Sequence, residues 1–520
     1  MGTGRIRVAA GLVLLSLLLL GQSGCGSGNH GAGAPTTARS RATSVTSTAP
    51  MTTTTTTEPA LPPPPPVSWT PCRSGLQCGS VGVPLDYGHP EGATIEIALA
   101  RHPAGNPSAR IGSLVINPGG PGGSGIDDLP EELSVLSPQL LADFDIVSFD
   151  PRGVGASDPV HCSDPTAPPS GGGLPQNPLP DPIPSTPAAQ GALLGEFRAY
   201  AAGCARYSGS LLAFVGTVDV ARDLDRIRAA LGDPLLTYIG HSYGTLLGAT
   251  YAELFPTGVR AMVLDGAIDP ALSLEELSLE QAEGFETVLG DFFTWCLSAG
   301  CAWHPAGDPT TAVLGLIQSS RTQALAGGGG RVAGPGEFYD ALLDSLYSRS
   351  GWAGLGQALA DAEGGNGSGI LALSDRYNTA GAPNAGDAST AINCADHPTS
   401  TDTGLSAGWA QTAAAAAPVF GPLLAWGDLG CAVWPTPASR VPGPATATGS
   451  PAILVTGTTK DPATPYGWAV SLAGELAHGV LVTRVGEDHV AYFYSSCVRS
   501  IDEAYLVAGT VPAPDTVCSS

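Results

Sequence analysis

The chain has 520 residues, 43% of them hydrophobic, enough for one large domain with an insertion or for two domains. Its formal net charge is −24 and Lys460 is the lone lysine, so no basic stripe exists to neutralise phosphates and nucleic acid is excluded as a partner. No C-x-x-C pair or Cys/His cluster appears, so neither a metal nor a cofactor is expected.

In residues 1–25, Arg5 and Arg7 precede an apolar run from Val8 to Leu20, and small residues then lead to Cys25. This is the pattern of a secretory signal, too short for a comfortable transmembrane span. The ending resembles a bacterial lipobox, with Gln22 where an aliphatic residue is usual, so Cys25 is a candidate for lipidation and otherwise for ordinary secretion. Residues 26–66, rich in Thr and Pro, cannot bury apolar surface and are expected to form a disordered or polyproline tether. The protein is therefore expected outside the cytoplasm, secreted or attached to the cell envelope. Without Cys25, ten cysteines remain, and pairing neighbours gives Cys72–Cys78, Cys162–Cys204, Cys296–Cys301, Cys394–Cys431 and Cys497–Cys518. Disulfides suit an oxidising compartment.

From residue 67 onward strand and helix signals alternate, which predicts an α/β sheet. Strands are expected at 94–101, 112–120 (running into a glycine-rich turn) and 144–157 (ending in a turn). Residues 163–190, Pro- and Gly-rich, read as a long surface loop. An amphipathic helix is expected over 217–232, with Thr217 as its cap and Gly232 at its end. Strands follow at 235–239 and 259–270. Residues 271–445 carry helical patterns and few alternating strands. Strands resume at 452–465 and 479–490. The expected organisation is an α/β core over 67–270, a helical cap over 271–445, and completion of the core over 446–520.

Gly240-His241-Ser242-Tyr243-Gly244 fits G-x-S-x-G, but so does Gly404 to Gly408. Context separates them. A strand enters the first and a helix leaves it, which is the frame of a nucleophile elbow. Ser406 has no strand before it and reads as a loop or capping serine. An elbow serine needs a base, and the base an orienting acid, in the chain order Ser, acid, His. Of the histidines after Ser242, His304 and His397 fall in the cap and His478 ends a helical pattern. His489, in a short loop after the last long strand, is the expected base. Asp461, in the loop after the preceding strand, is the favoured acid, with Asp265 and Asp269 as alternatives; Glu487 and Asp488 stand too close to His489 to orient it easily. The glycine-rich "NPGGPGGSG" at 117–125 is expected to supply the second oxyanion donor, from Gly120, beside the Tyr243 amide. "DPRGVGASDP" at 150–159 reads as structural, with Arg152 pairing locally.

Together "NPGGPGGSG", "DPRGVGAS", "GHSYGT", "CADHP", "GTTKDPATP" and the tail at 497–518 resemble the secreted tripeptidyl-aminopeptidase-like α/β hydrolases of actinobacteria, relatives of proline iminopeptidase. The resemblance implies an α/β-hydrolase fold with a helical cap, a Ser-Asp-His triad falling on Ser242, Asp461 and His489, and removal of short peptides from free N-termini. "GEDHVAY" departs from the His loop common in relatives, so Asp488 is expected to shift the base or alter access. An aminopeptidase must hold a free ammonium. Among the cap carboxylates Glu280, Glu283, Glu286, Asp340, Asp344 and Asp396, the expected sites are Asp396 and then Glu283. An esterase on the same triad is the alternative. The expected partners are peptide substrates, with a membrane touched only through a lipid at Cys25, and the expected state is a monomer.

Overall fold

The computed structural model describes residues 61–519 except 74, 167–176 and 380. The expected signal, Cys25 and residues 26–60 of the tether lie outside the described residues. Runs such as Leu114-Val115-Ile116 and Ile453-Leu454-Val455 are apolar at every position rather than alternating. Strands of this kind suit a parallel sheet covered by helices on both faces, and such a sheet forms.

The strands are β1 (Thr70–Pro71), β2 (Gln77–Pro84), β3 (Thr94–His102), β4 (Gly112–Asn117), β5 (Phe144–Phe149), β6 (Leu236–His241), β7 (Val259–Asp265), β8 (Leu325–Ala326), β9 (Val332–Ala333), β10 (Ile453–Thr458), β11 (Gly479–Val485) and β12 (Thr516–Ser519). Ten of them make one sheet in the order β1-β2-β3-β5-β4-β6-β7-β10-β11-β12, and β8 pairs only with β9. In the ten-stranded sheet β1–β2, β2–β3 and β3–β5 pair antiparallel, and every pairing from β5–β4 to β11–β12 is parallel.

The helices before the cap are α1 (Gly125–Val135), α2 (Pro138–Asp143), α3 (Pro187–Ser208), α4 (Thr217–Ala230) and α5 (Tyr243–Leu254). The cap holds α6 (Leu274–Ala299), α7 (Pro309–Ser320), α8 (Pro335–Leu346), α9 (Trp352–Glu363), α10 (Ser368–Asn378), α11 (Ala385–Asp396), α12 (Ser406–Ala416), α13 (Gly421–Gly427) and α14 (Leu429–Ala432). The core ends with α15 (Tyr466–Glu475) and α16 (Ser496–Ala508). On one sheet face α4, α5 and α15 bury Leu224, Ile227, Leu247 and Leu472 against Val115, Tyr238 and Val455. On the other, α1, α2 and α16 bury Ile126, Leu140 and Leu506 against Ile116, Ile239 and Leu454. The cap has its own apolar core around Phe285, Phe292, Trp303, Phe338 and Trp352. The expected limits of the cap, 271 and 445, fall in the connections before α6 and before β10. No helix among the described residues is long and apolar enough to cross a membrane. All five neighbouring cysteine pairs are disulfide-bonded.

Three expectations are corrected. The expected loop over 163–190 is loop at its described residues up to 186, but it ends earlier than expected and is tied to the cap. Asn177 Nδ2 donates to Val332 O and Glu337, Leu179 N donates to Glu337, and α3 begins at Pro187. Helix α3 then joins the cap, burying Leu193 and Phe197 against Ala413 and Trp426. Arg152 does not pair locally. It is fully buried, forms a two-pronged ion pair with Asp223 of α4, and donates to the carbonyls of Pro84, Leu85 and Phe214. Thr217 does not cap α4; Gly216 holds that position, and the Thr217 hydroxyl is engaged elsewhere.

Candidate active site

The carboxyl ends of the parallel strands carry the site, as the topology of open α/β sheets dictates. β6 ends at His241 and α5 starts at Tyr243, leaving Ser242 alone on the turn with φ 55° and ψ −124°. A non-glycine residue seldom adopts this conformation, and strain of this kind concentrates at functional positions. The flanking glycines are sterically required. A Cβ on Gly240 would sit 2.2 Å from Gly244 O, and one on Gly244 would sit 2.7 Å from Asn117 O. The turn is held from both sides: Ser242 N donates to Asp265 O at 2.9 Å, and Thr245 returns its N–H and hydroxyl to Ser242 O. Among the described residues the Ser242 hydroxyl itself has no hydrogen-bond partner. Ser406, in the competing motif, opens α12 with no strand before it.

Past β10, Asp461 turns its carboxylate under the loop that follows β11. His489 Nδ1 donates to Asp461 Oδ1 at 2.8 Å, with Oδ2 at 3.0 Å. The same carboxylate accepts the backbone N–H groups of Ala463, Thr464 and Val490. Asp461 and His489 are 2% and 1% exposed, so this pair works away from bulk water. Their bond fixes Nδ1 as the protonated nitrogen and leaves Nε2 as the basic one. Thr464 Oγ1 lies 3.3 Å from Nδ1 as a side contact. Val490 has φ 67°, a second strained residue at the site and a β-branched one. The Asp265–Gly266 corner adjoins both halves: Asp265 O holds Ser242 N, and a Cβ on Gly266 would sit 3.5 Å from His489 Cε1.

The rejected candidates have other roles. Asp265 accepts from Ala491 N and Tyr492 N, so it holds the chain just after His489, and among the described residues no hydrogen bond or ion pair joins it to the His489 imidazole. Burial raises the Asp265 pKa, with His241 acting in the opposite sense. His241 lies 3.6 Å from Glu132 and 3.8 Å from Asp265. Burial disfavours its cation, but these carboxylates outweigh burial and raise its pKa. Asp269 accepts from Ala271 N, and His478 faces Ser450 O. His304 is exposed on the cap, and burial lowers the His397 pKa to about 3, with Arg440 adding to the effect.

The glycine-rich turn after β4 presses against the elbow. A Cβ on Gly119 (φ 97°) would lie 2.4 Å from His241 O and 3.1 Å from Tyr243 N. Gly119 N donates to Asn117 Oδ1, so its own amide is engaged, and the next amide of the turn is that of Gly120. The Tyr243 N–H belongs to the first turn of α5, where no intrahelical acceptor exists and the helix dipole favours negative charge. The turn's other side meets the cap: a Cβ on Gly122 would be 2.5 Å from Ala385 O and 2.9 Å from Ser389 N.

The cap also grips His489. His489 N donates to Tyr347 O at 2.9 Å, and the two rings meet edge to face at 5.4 Å. Asp488 Oδ1 accepts from Ser348 Oγ and Arg349 N, and its Oδ2 accepts from Arg484. Asp488 thus ties the loop of His489 to the segment 347–349 of the cap. Sequence reasoning missed that segment, since nothing in "LYSRS" marks it. Gln281 of α6 donates to Ala463 O, covering the loop of Asp461 in the same way.

The expected ammonium sites do not fit their places. Asp396 is 1% exposed, and both of its oxygens are bonded to Thr217. Glu283 is exposed on α6. The other cap carboxylates are engaged too: Glu280 with Trp468, Glu286 with Val419 N and Phe420 N, Asp340 with Ser374 and Asn378, and Asp344 with Arg376.

Comparison with known proteins agrees with this architecture. Residues 112–306 match the α/β hydrolase fold model and residues 417–518 the TAP-like protein model. Serine protease Hip1 of Mycobacterium tuberculosis is 38% identical over 87% of this chain and 91% of its own length. Tripeptidyl aminopeptidase of Streptomyces lividans is 34% identical over 87% of this chain and 86% of its own. Carboxylesterase B of M. tuberculosis is 36% identical over 87% and 90%. The chain therefore belongs to the TAP-like α/β hydrolases, a family of enzymes that includes serine peptidases.

Proposed function

We propose that this protein is an exported serine exopeptidase that releases short peptides from free N-termini through an acyl-enzyme. The observation that carries the reading is the buried His489–Asp461 hydrogen bond beside the strained Ser242 turn. Ser242 is the nucleophile, His489 the base and Asp461 the acid that orients it. Nε2 of His489 takes the Ser242 proton as the hydroxyl oxygen attacks the scissile carbonyl carbon. The oxyanion is received by the Gly120 and Tyr243 amides. His489 then protonates the leaving amine, and water, deprotonated by the same nitrogen, releases the acyl group. No hydrogen bond joins the Ser242 hydroxyl to His489 among the described residues, and the proposed bond forms when substrate binds, as is common for catalytic hydrogen bonds. Relatives named tripeptidyl aminopeptidase and serine protease support peptide bonds as the target. Five disulfides support export, because such bonds persist in oxidising compartments. Cys25 is the proposed point of lipid attachment.

The relative named carboxylesterase favours a second reading, an esterase on the same triad. One panel separates the two. Tripeptidyl, aminoacyl, N-blocked tripeptidyl and short acyl-ester chromogenic substrates are compared on wild type and on Ser242→Ala. The exopeptidase reading expects turnover of the unblocked tripeptidyl amide, little of the blocked one, and loss of both amide and ester activity in Ser242→Ala. Equal turnover of blocked and free peptides would sink the exopeptidase reading, and ester turnover alone would establish the esterase.

A further inference from the structure

Helix α11 of the cap touches the site at both ends, and no step of the proposed mechanism uses it. Near its start, Ala385 O and Ser389 N lie against Gly122, two residues from the Gly120 amide. At its end, Asp396 Oδ1 accepts from Thr217 N at 2.7 Å, and Asp396 Oδ2 accepts from Thr217 Oγ1 at 2.5 Å. Thr217 Oγ1 in turn lies 2.5 Å from Tyr243 Oη. An ionised carboxylate only accepts, so the Thr217 proton points to Asp396 and the Tyr243 proton to Thr217. The chain of bonds has one direction, set by Asp396. Its three members are 0%, 3% and 1% exposed for Thr217, Tyr243 and Asp396, so water does not compete. The end of α11 is itself fastened: Ala395 O accepts from Ser439 N and Arg440 N, and Cys394 is bonded to Cys431.

We infer that α11 braces the oxyanion hole, with Asp396 as the positioning residue that holds Tyr243, and hence its backbone amide, through Thr217. This rests on the proposed roles of Ser242, Gly120 and Tyr243. The two amides must stand a fixed distance apart for one oxyanion, and they come from separate loops of the core. A single helix bearing on both loops sets that spacing. The bland alternative is that the Asp396 network only fastens the cap to the core.

The test compares wild type with Asp396→Asn, Thr217→Val and Tyr243→Phe, the last deleting one hydroxyl and keeping the ring. Active sites are counted with a fluorophosphonate that labels Ser242. Rates are then measured per active site on a tripeptidyl anilide, together with inhibition by a tripeptidyl boronic acid and by the tripeptide product. The brace predicts a kcat per active site lower by about tenfold to a hundredfold, somewhat less than for a deleted donor. KM and product affinity stay within about threefold, and boronate affinity falls in step with kcat/KM. Wild-type kcat and boronate affinity in Tyr243→Phe or Asp396→Asn, whatever happens to thermal stability, would overturn the brace. If wild-type Ser242 is not labelled and Ser242→Ala stays active, the nucleophile assignment fails first and the brace falls with it.

Discussion

The core and the cap contribute different things to the same cleft. Every group proposed to do chemistry stands on a loop at the end of a core strand: Gly120 after β4, Ser242 after β6, Asp461 after β10 and His489 after β11. The cap contributes contacts that hold those loops from outside. Residues 347–349 hold the base, Gln281 holds the loop of the acid, and α11 holds the glycine turn. Both regions bury polar groups: the core holds His241, Asp265, Asp461 and Asp502, and the cap holds Glu337, Asp340, Asp396 and Asp428. Ser242 and Val490 are strained, held at positive φ in core loops that the sheet and the cap confine between them. The sheet carries the proposed reacting groups on its loops, and the insertion, with an apolar core of its own, contacts those loops from outside.

The comparison breaks if core substitutions prove mild. Asp461→Asn is expected to lower kcat by about 10⁴-fold with little change in fold, because the amide favours the wrong His489 tautomer. Steady-state kinetics with circular dichroism as the folding control checks this, and a loss below about tenfold would remove Asp461 from its role. Gly119→Ala comes next. Its Cβ would meet His241 O at 2.4 Å at a position with φ 97°, so the turn must shift away from Tyr243. Displacing the Gly120 donor should reduce kcat by about 10²-fold, read on the tripeptidyl anilide per titrated site. Unchanged kcat would move the second donor elsewhere.

The sequence made the core legible because each strand run and its turn are local signals. The elbow needed only "TYIGHSYGT" and its strand-to-helix context, and the Asp461 and His489 loops followed from chain order. The contacts of the cap were not legible, since they join residues far apart in sequence. Asp396 meets Thr217 across 179 positions, and Ser348 meets Asp488 across 140. Residue type alone made Asp396 an ammonium candidate among the cap carboxylates, but both of its oxygens are bonded to Thr217. Arg152 misled for the same reason, its partner Asp223 lying 71 residues away.

On the cap side the effects should be smaller. Asp488→Ala cuts the bonds to Ser348 and Arg349 and leaves the buried Arg484 without its ion-pair partner. The loop of His489 then keeps its tie to Tyr347 O but loses its lateral support. A kcat reduction of about tenfold and a stability loss of about 3 kcal/mol, the usual cost of stranding a buried charge, are expected. Arg349→Ala is the control. Its side chain pairs with Glu487 in a half-exposed contact, worth about 0.5 kcal/mol at most, and kcat should not move. If both variants behave alike, the cap does not tune the base.

The smallest effect concerns the acidic cluster beneath the elbow, on the core side of the comparison. Burial raises the Asp128 pKa to about 8, with Glu132 and its other acidic neighbours adding to it. Native Asp128 therefore keeps a proton that the unfolded chain releases near pH 4. The native state binds more protons across this window, so the contribution is full below the unfolded value and is lost as pH rises through about 8. Asp128→Asn removes the titrating group. Its stability relative to wild type should rise by about 1 kcal/mol between acid and mildly alkaline pH, once the full linkage value is discounted for partial solvent access. Urea unfolding at both ends of the window measures it. A wild-type profile parallel to that of the variant would mean that Asp128 is ionised at neutral pH, and that the elbow rests on a negative cluster and not on a protonated one.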